Sequence, residues 1–185
     1  MQKYLLEKSR IISQASIERN YHVFYYLLLG ASEKERENNF LLPSSCYNYL
    51  NNRMSNLENI DERYEFSRLK QSMEMVGFSY TKQQRVFNVL SAVMHIGNVE
   101  FYVNKKGTHY FDESVEVQNI KVLGIISSLL KVKEETLLVS LTCKKVKASG
   151  ETLIVKYKLQ EAAATRDAIA KCLYIALFDW IVLQV

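Results

Sequence analysis

Apolar residues recur at helical spacing along most of the chain, and the places where that spacing breaks divide it into short elements. Residues 18–29 place Tyr21, Phe24, Tyr25 and Leu28 on one face, with Gly30 as a stop signal. Ser32 followed by Glu35 has the capping-box spacing for a short charged helix. Residues 42–61, rich in Asn, Ser and Tyr, read as a long connection between two helical groups. Residues 61–76 set Phe66, Leu69, Met73 and Val76 on one stripe that Gly77 closes. Thr81 and Gln84 have the spacing of a second capping box. The apolar face Val86, Val89, Leu90, Val93, Met94 and Ile96 follows and ends at Gly97 and Asn98.

Beyond Asn98 the period changes twice. Val99, Phe101 and Val103 alternate as a short strand, and residues 104–113 form a polar surface loop carrying Lys105, Lys106 and His109. Helical spacing returns over 115–130 and 134–141. Residues 142–157 then take on strand character around Ser149 and Gly150, which predicts a basic hairpin. A last helix runs from about Ala162, and beyond Cys172 only Asp179 and Gln184 are polar. The fourteen residues from Cys172 to Val185 would span about 21 Å, short of the roughly 30 Å of a bilayer core, so no membrane span is expected. A helix apolar on all sides has to be buried on all sides. The predicted fold is mainly α with a small β-hairpin.

Composition agrees with that class. Six Gly and one Pro in 185 residues disfavour turn-rich all-β folds. Three widely spaced cysteines, Cys46, Cys143 and Cys172, make neither a disulfide framework nor a zinc site, and point to a reducing, cytoplasmic compartment. Cys172, within the apolar helix, is expected to be a small packed thiol. Charge is more informative in its placement than in its net value of +4. Between Lys131 and Lys158 seven Lys face three Glu, and the rest of the chain is balanced. Such a patch attracts an acidic partner.

Catalytic motifs are missing from the sequence. It has no GxxxxGK[ST] or GxGxxG phosphate cradle, no GxSxG elbow and no HExxH pair. His22 and His95, among apolar residues of predicted helices, are expected to be hydrogen-bonded structural histidines. The aromatic run Tyr21, Phe24, Tyr25 and Tyr26 is expected to be core.

Four strings carry a resemblance when taken in order: YLLEKSRI at 4–11, ERNYHVFYYLLLG at 18–30, LSAVMHIGNVEF at 90–101 and RDAIAKCLYIALFDWIV at 166–182. Together they resemble myosin motor domains over essentially the whole chain. The combination of RDAIAK with GET looks nearest to unconventional classes whose tails carry MyTH4 and FERM domains, such as classes VII, X and XV. The resemblance implies the upper actin-binding subdomain of an actin-activated, magnesium-dependent ATPase. The family's phosphate-binding loop and first switch would precede Met1, and its second switch would follow Val185. The expectation is therefore a partial motor domain over residues 1–185, truncated at both ends, with no cofactor held by this chain and ATP and Mg2+ held in the intact motor.

The same resemblance implies the site. Residues 102–114 occupy the position of an actin-facing loop, with Lys105 and Lys106 as candidate contacts. The hairpin at 142–157 occupies the position of the family's cardiomyopathy loop, where Lys144, Lys145 and Lys147 supply positive charge. Sixteen residues before Asp167 stands Glu151, at a position where the family places a phosphorylatable residue or a fixed acid. The implied partners are an actin filament and the remainder of the motor domain, in the actin cytoskeleton. The alternative from the residues alone is a helical module whose basic hairpin binds nucleic acid or acidic lipid. Against nucleic acid, the basic segment contains no Arg and a single aromatic residue, Tyr157.

Overall fold

A computed structural model of the chain describes residues 6–16, 18–50, 61–105, 113–148 and 150–184. The described residues are mostly helical, with two small antiparallel hairpins in place of the single one expected.

The first helix, α1 (His22–Gly30), begins later than its apolar spacing suggests. Buried Asn20 is the cause. Its Oδ1 accepts from Tyr21 N at 2.8 Å, and its Nδ2 donates to Ile11 O at 2.9 Å and Tyr49 O at 3.0 Å. A side chain that engages the local backbone competes with the helix ladder. Phe24 and Tyr25 are buried, and Tyr21 stacks on Tyr174 with ring centroids 4.9 Å apart. His22 is exposed beside Tyr26 rather than hydrogen-bonded in the core.

The expected capping box opens α2 (Glu33–Asn38), with Ser32 Oγ accepting from Glu35 N and the Glu35 carboxylate accepting from Ser32 N. Residues 51–60 of the long connection lie outside the described residues, but Tyr47, Tyr49 and Leu50 at its start are buried. Asp61 caps α3 (Glu62–Met75), which packs on α1 and buries Phe66 and Met73.

Helix α4 (Tyr80–Gly97) is the centre of the core and buries Val86, Phe87, Leu90, Ala92, Val93, Met94 and Ile96. Its cap is Ser79, which accepts from Lys82 N at 3.4 Å, and not the expected Thr81. His95 is buried, and its Nε2 lies 2.9 Å from Phe40 O, the structural role expected of it.

Strand β1 (Phe101–Lys105) pairs with β2 (Glu113–Val117) from Phe101 against Val117 to Lys105 against Glu113. The helical reading of 115–130 therefore splits into β2 and α5 (Ile120–Leu130). Val115 and Val117 alternate inward, and Asn119 turns the chain by accepting from Glu100 N and donating to Asn98 O. Helix α6 (Glu134–Thr142) leads into β3 (Cys143–Ala148), then β4 (Glu151–Lys156) and α7 (Leu159–Val182). Helix α4 lies between α5 and α7.

Helix α7 departs from the expectation of burial on all sides. Ala162, Ala170 and Tyr174 are buried, whereas Phe178 and Trp180 remain 38% and 37% exposed. Cys172 is exposed and not packed, because it lies on the solvent side of α7. An apolar cavity of about 350 Å³ opens between α1, α3, α4 and α7, lined by residues including Val23, Leu69, Phe87 and Leu177. Among the described residues no helix is long and apolar enough to cross a membrane.

Candidate functional site: a two-faced basic hairpin

The β3–β4 hairpin leaves the helical body directly from the end of α6. Its register is Cys143 against Lys156, Lys144 against Val155, Lys145 against Ile154, Val146 against Leu153, Lys147 against Thr152 and Ala148 against Glu151. Ala148 pairs with Glu151 at its end, and Gly150, at φ 86°, adopts the left-handed conformation that glycine accepts without strain. At the base, Tyr157 N donates to Thr142 O at 2.8 Å. All six residues of β4 are exposed, so the hairpin projects from the body.

Successive strand residues point to opposite faces, and directly paired residues share a face. One face therefore carries Lys145, Lys147 and Lys156 together with Ile154 and Thr152. The other carries Lys144, Val146, Leu153 and Val155, with Glu151 at its tip. The three lysines expected to act together are thus divided.

Lys144 is also engaged. Its Nζ lies 2.6 Å from Glu161 Oε1 and 5.9 Å from the centroid of the Tyr157 ring. Glu161 uses its second oxygen to accept from Lys158 N at 2.9 Å, in the first turn of α7. The Lys144 hydrogen bond, followed by that of the Lys158 backbone, holds the Glu161 carboxyl below the usual range. Among the described residues Lys145, Lys147 and Lys156 have no carboxylate partner.

Lys105 ends β1 opposite Glu113 and belongs to the other hairpin; Lys106 lies outside the described residues. Lys156 and Glu161 were not recognised from the sequence. The signal for Lys156 was present, because counting outward from the Ser149–Gly150 turn pairs it with Cys143 and so puts it on the Lys145 face. Glu161 had a weaker signal, as the third residue of a helix whose start was expected three residues later.

The myosin head (motor domain) family matches residues 1–185, and the chain belongs to that family. Unconventional myosin-IXb of Rattus norvegicus is 50% identical over the whole chain, which covers 9% of that protein. Unconventional myosin-IXa of Homo sapiens is 46% identical over the whole chain and 8% of its own length. Unconventional myosin-XV of Homo sapiens is 35% identical over 99% of the chain and 5% of its own length. The class IX relatives thus share more residues with this chain than the class XV relative does, and the chain spans less than a tenth of the length of each.

Proposed function

We propose that residues 1–185 are part of the upper actin-binding subdomain of an ATP-driven, actin-based motor working in the cytoplasmic actin cytoskeleton. The observation that carries this reading is the face of Lys145, Lys147 and Lys156, exposed and without carboxylate partners among the described residues, on a hairpin that projects from a family member's helical body. Clustered lysines at a projecting tip raise the rate of encounter with an acidic surface and lose effect as salt screens beyond about 8 Å. The loop bearing Lys105 and Lys106 is a second contact in this reading. Glu151 supplies a fixed negative charge where other members would require phosphorylation. No observation favours the nucleic-acid or lipid-binding alternative.

The residues present do not fit a nucleotide or its magnesium ion. The sequence has no glycine-rich phosphate cradle, and among the described residues no three His, Cys, Asp or Glu converge as metal ligands. ATP and Mg2+ would be held by other parts of an intact motor, and the role of this chain is to present and orient the filament-facing surface.

The test is co-sedimentation with actin filaments of a complete myosin head carrying residues 1–185 in place of its own. Lys145→Ala with Lys147→Ala should weaken binding several-fold and flatten its salt dependence, each rim charge contributing about 0.2–1 kcal/mol. Glu151→Lys should reduce actin activation of the ATPase. Unchanged affinity and salt slope in the double variant would refute the assignment of the hairpin.

A further inference from the structure

We infer that Glu161 is a positioning residue that sets the direction of the hairpin through Lys144, and that Lys144 is a strut rather than a contact with the partner. The inference rests on the proposed filament-facing role of the hairpin. Three observations converge on it. The exposed hairpin has little body to lean on, and among the described residues Lys144–Glu161 is the polar side-chain link between it and α7. Both Glu161 oxygens are used: one holds the first strand through Lys144 and the other fixes the first turn of α7 through Lys158 N. The carboxylate therefore ties the hairpin base to the helix that follows it. Finally, the pleat directs Lys144 away from Lys145, Lys147 and Lys156, so a partner on their face does not meet it.

A partly exposed pair shifts an equilibrium by no more than about fivefold, which is enough to favour one hairpin direction over others. Glu161→Gln is the sharpest perturbation. The amide oxygen can still accept from Lys158 N, so the helix cap survives while the ion pair is lost.

Nitroxides at Thr152 and Ala168, in a background with Ser at the three native cysteine positions, report the hairpin direction as a distance distribution. They would be read in the full chain and in a complete myosin head carrying it. Glu161→Gln and Lys144→Met should each broaden the distribution and weaken actin binding two- to fivefold. Lys144→Glu with Glu161→Lys, compared with Glu161→Lys alone to account for the lost cap, should narrow the distribution again and restore binding. An unbroadened distribution in Glu161→Gln overturns the inference. So does a double swap that binds more weakly than Glu161→Lys alone, because Lys144 would then be touching an acidic partner. If the distribution broadens and recovers while actin affinity stays fixed throughout, including in Lys145→Ala with Lys147→Ala, the strut stands and the filament-facing role fails.

Discussion

Adding a single methyl group at Gly97 tests how the long connection is fastened to the core. Gly97 is the last residue of α4, and a Cβ there would lie 2.6 Å from Cδ2 and 2.7 Å from Cγ of Tyr49. The clash includes Cγ, which rotation of the ring about its own axis does not move, and a change at χ1 would take the ring out of its buried site. Nor can the ring retreat with its backbone. Asn48 Nδ2 donates to Gly97 O at 3.0 Å, Asn48 N donates to Asn98 Oδ1 at 2.9 Å, and Asn98 Nδ2 donates to Cys46 O at 2.7 Å. Beyond the ring, Tyr49 Oη donates to Asp167 Oδ1 at 2.6 Å, and burial, followed by that carboxylate, pushes the phenol well up from its ordinary range.

Three effects then compete in Gly97→Ala. Helix propensity favours Ala by up to about 1 kcal/mol, and less at a terminal residue. Overpacking opposes it by about 1–3 kcal/mol. Displacing the buried hydroxyl from Asp167 adds about 1–3 kcal/mol. The net expectation is a loss of about 3 kcal/mol, read from the urea midpoint by circular dichroism together with fluorescence of the single tryptophan, Trp180. In a Tyr49→Phe background the hydroxyl contribution is absent, so the same substitution should cost about 1–3 kcal/mol less. An unchanged or raised midpoint, or costs that simply add in the double variant, would refute the reasoning.

Other expectations follow from burial. Burial holds His95 below its ordinary value of 6.5, against the opposing effect of the Phe40 carbonyl. As pH falls below about 6.5 the unfolded chain takes up a proton that the folded chain refuses, so stability should fall by at most about 1.4 kcal/mol per pH unit until His95 titrates in the folded state. His95→Gln should flatten that slope in denaturation curves recorded across this range, and an identical slope would exclude His95 as its source. Thiol labelling under native conditions should modify exposed Cys46 and Cys172 quickly and half-buried Cys143 slowly; a protected Cys172 would contradict the orientation of α7. Phe178, Trp180 and Leu183 leave apolar surface at the end of α7, with Leu183 81% exposed. The 185-residue chain should therefore self-associate with rising concentration, and Trp180→Gln should reduce this; a concentration-independent monomer in sedimentation velocity would count against it.

Legibility in the sequence followed the locality of each cause. The Ser32–Glu35 box, the stripe of α3, the body of α4 and the hairpin at Ser149–Gly150 depend on neighbours within one turn or one strand pair, and the pattern shows them. Strand β2 was hidden because Val115 and Val117 run into the helical spacing of α5, so one apolar series served two periods. The start of α1 depended on Asn20 reaching Ile11 and Tyr49, contacts nine and twenty-nine residues away. For α7 the apolar pattern does not tell which faces residues 1–185 cover themselves and which, such as Phe178 and Trp180, they leave open. The candidate site was legible as a cluster of lysines but not as an arrangement of faces, since composition does not register which side of a pleat a residue occupies.

That distinction changes what the basic segment contributes electrostatically. Counted along the chain, Lys144, Lys145 and Lys147 are equivalent charges. In the fold, Lys144 and Glu161 form a pair 2.6 Å apart, a separation far below the roughly 8 Å screening length, so at a distance their fields nearly cancel. Glu134 and Glu135, which offset lysines in the same segment, lie in the first turn of α6, where they complement the helix dipole. On the hairpin itself the uncompensated positive charge is that of Lys145, Lys147 and Lys156, all on one face, with Glu151 on the other. Neutralising one of those three alters charge at the surface proposed to meet a partner. Neutralising Lys144 leaves that face as charged as before and changes the direction in which it points.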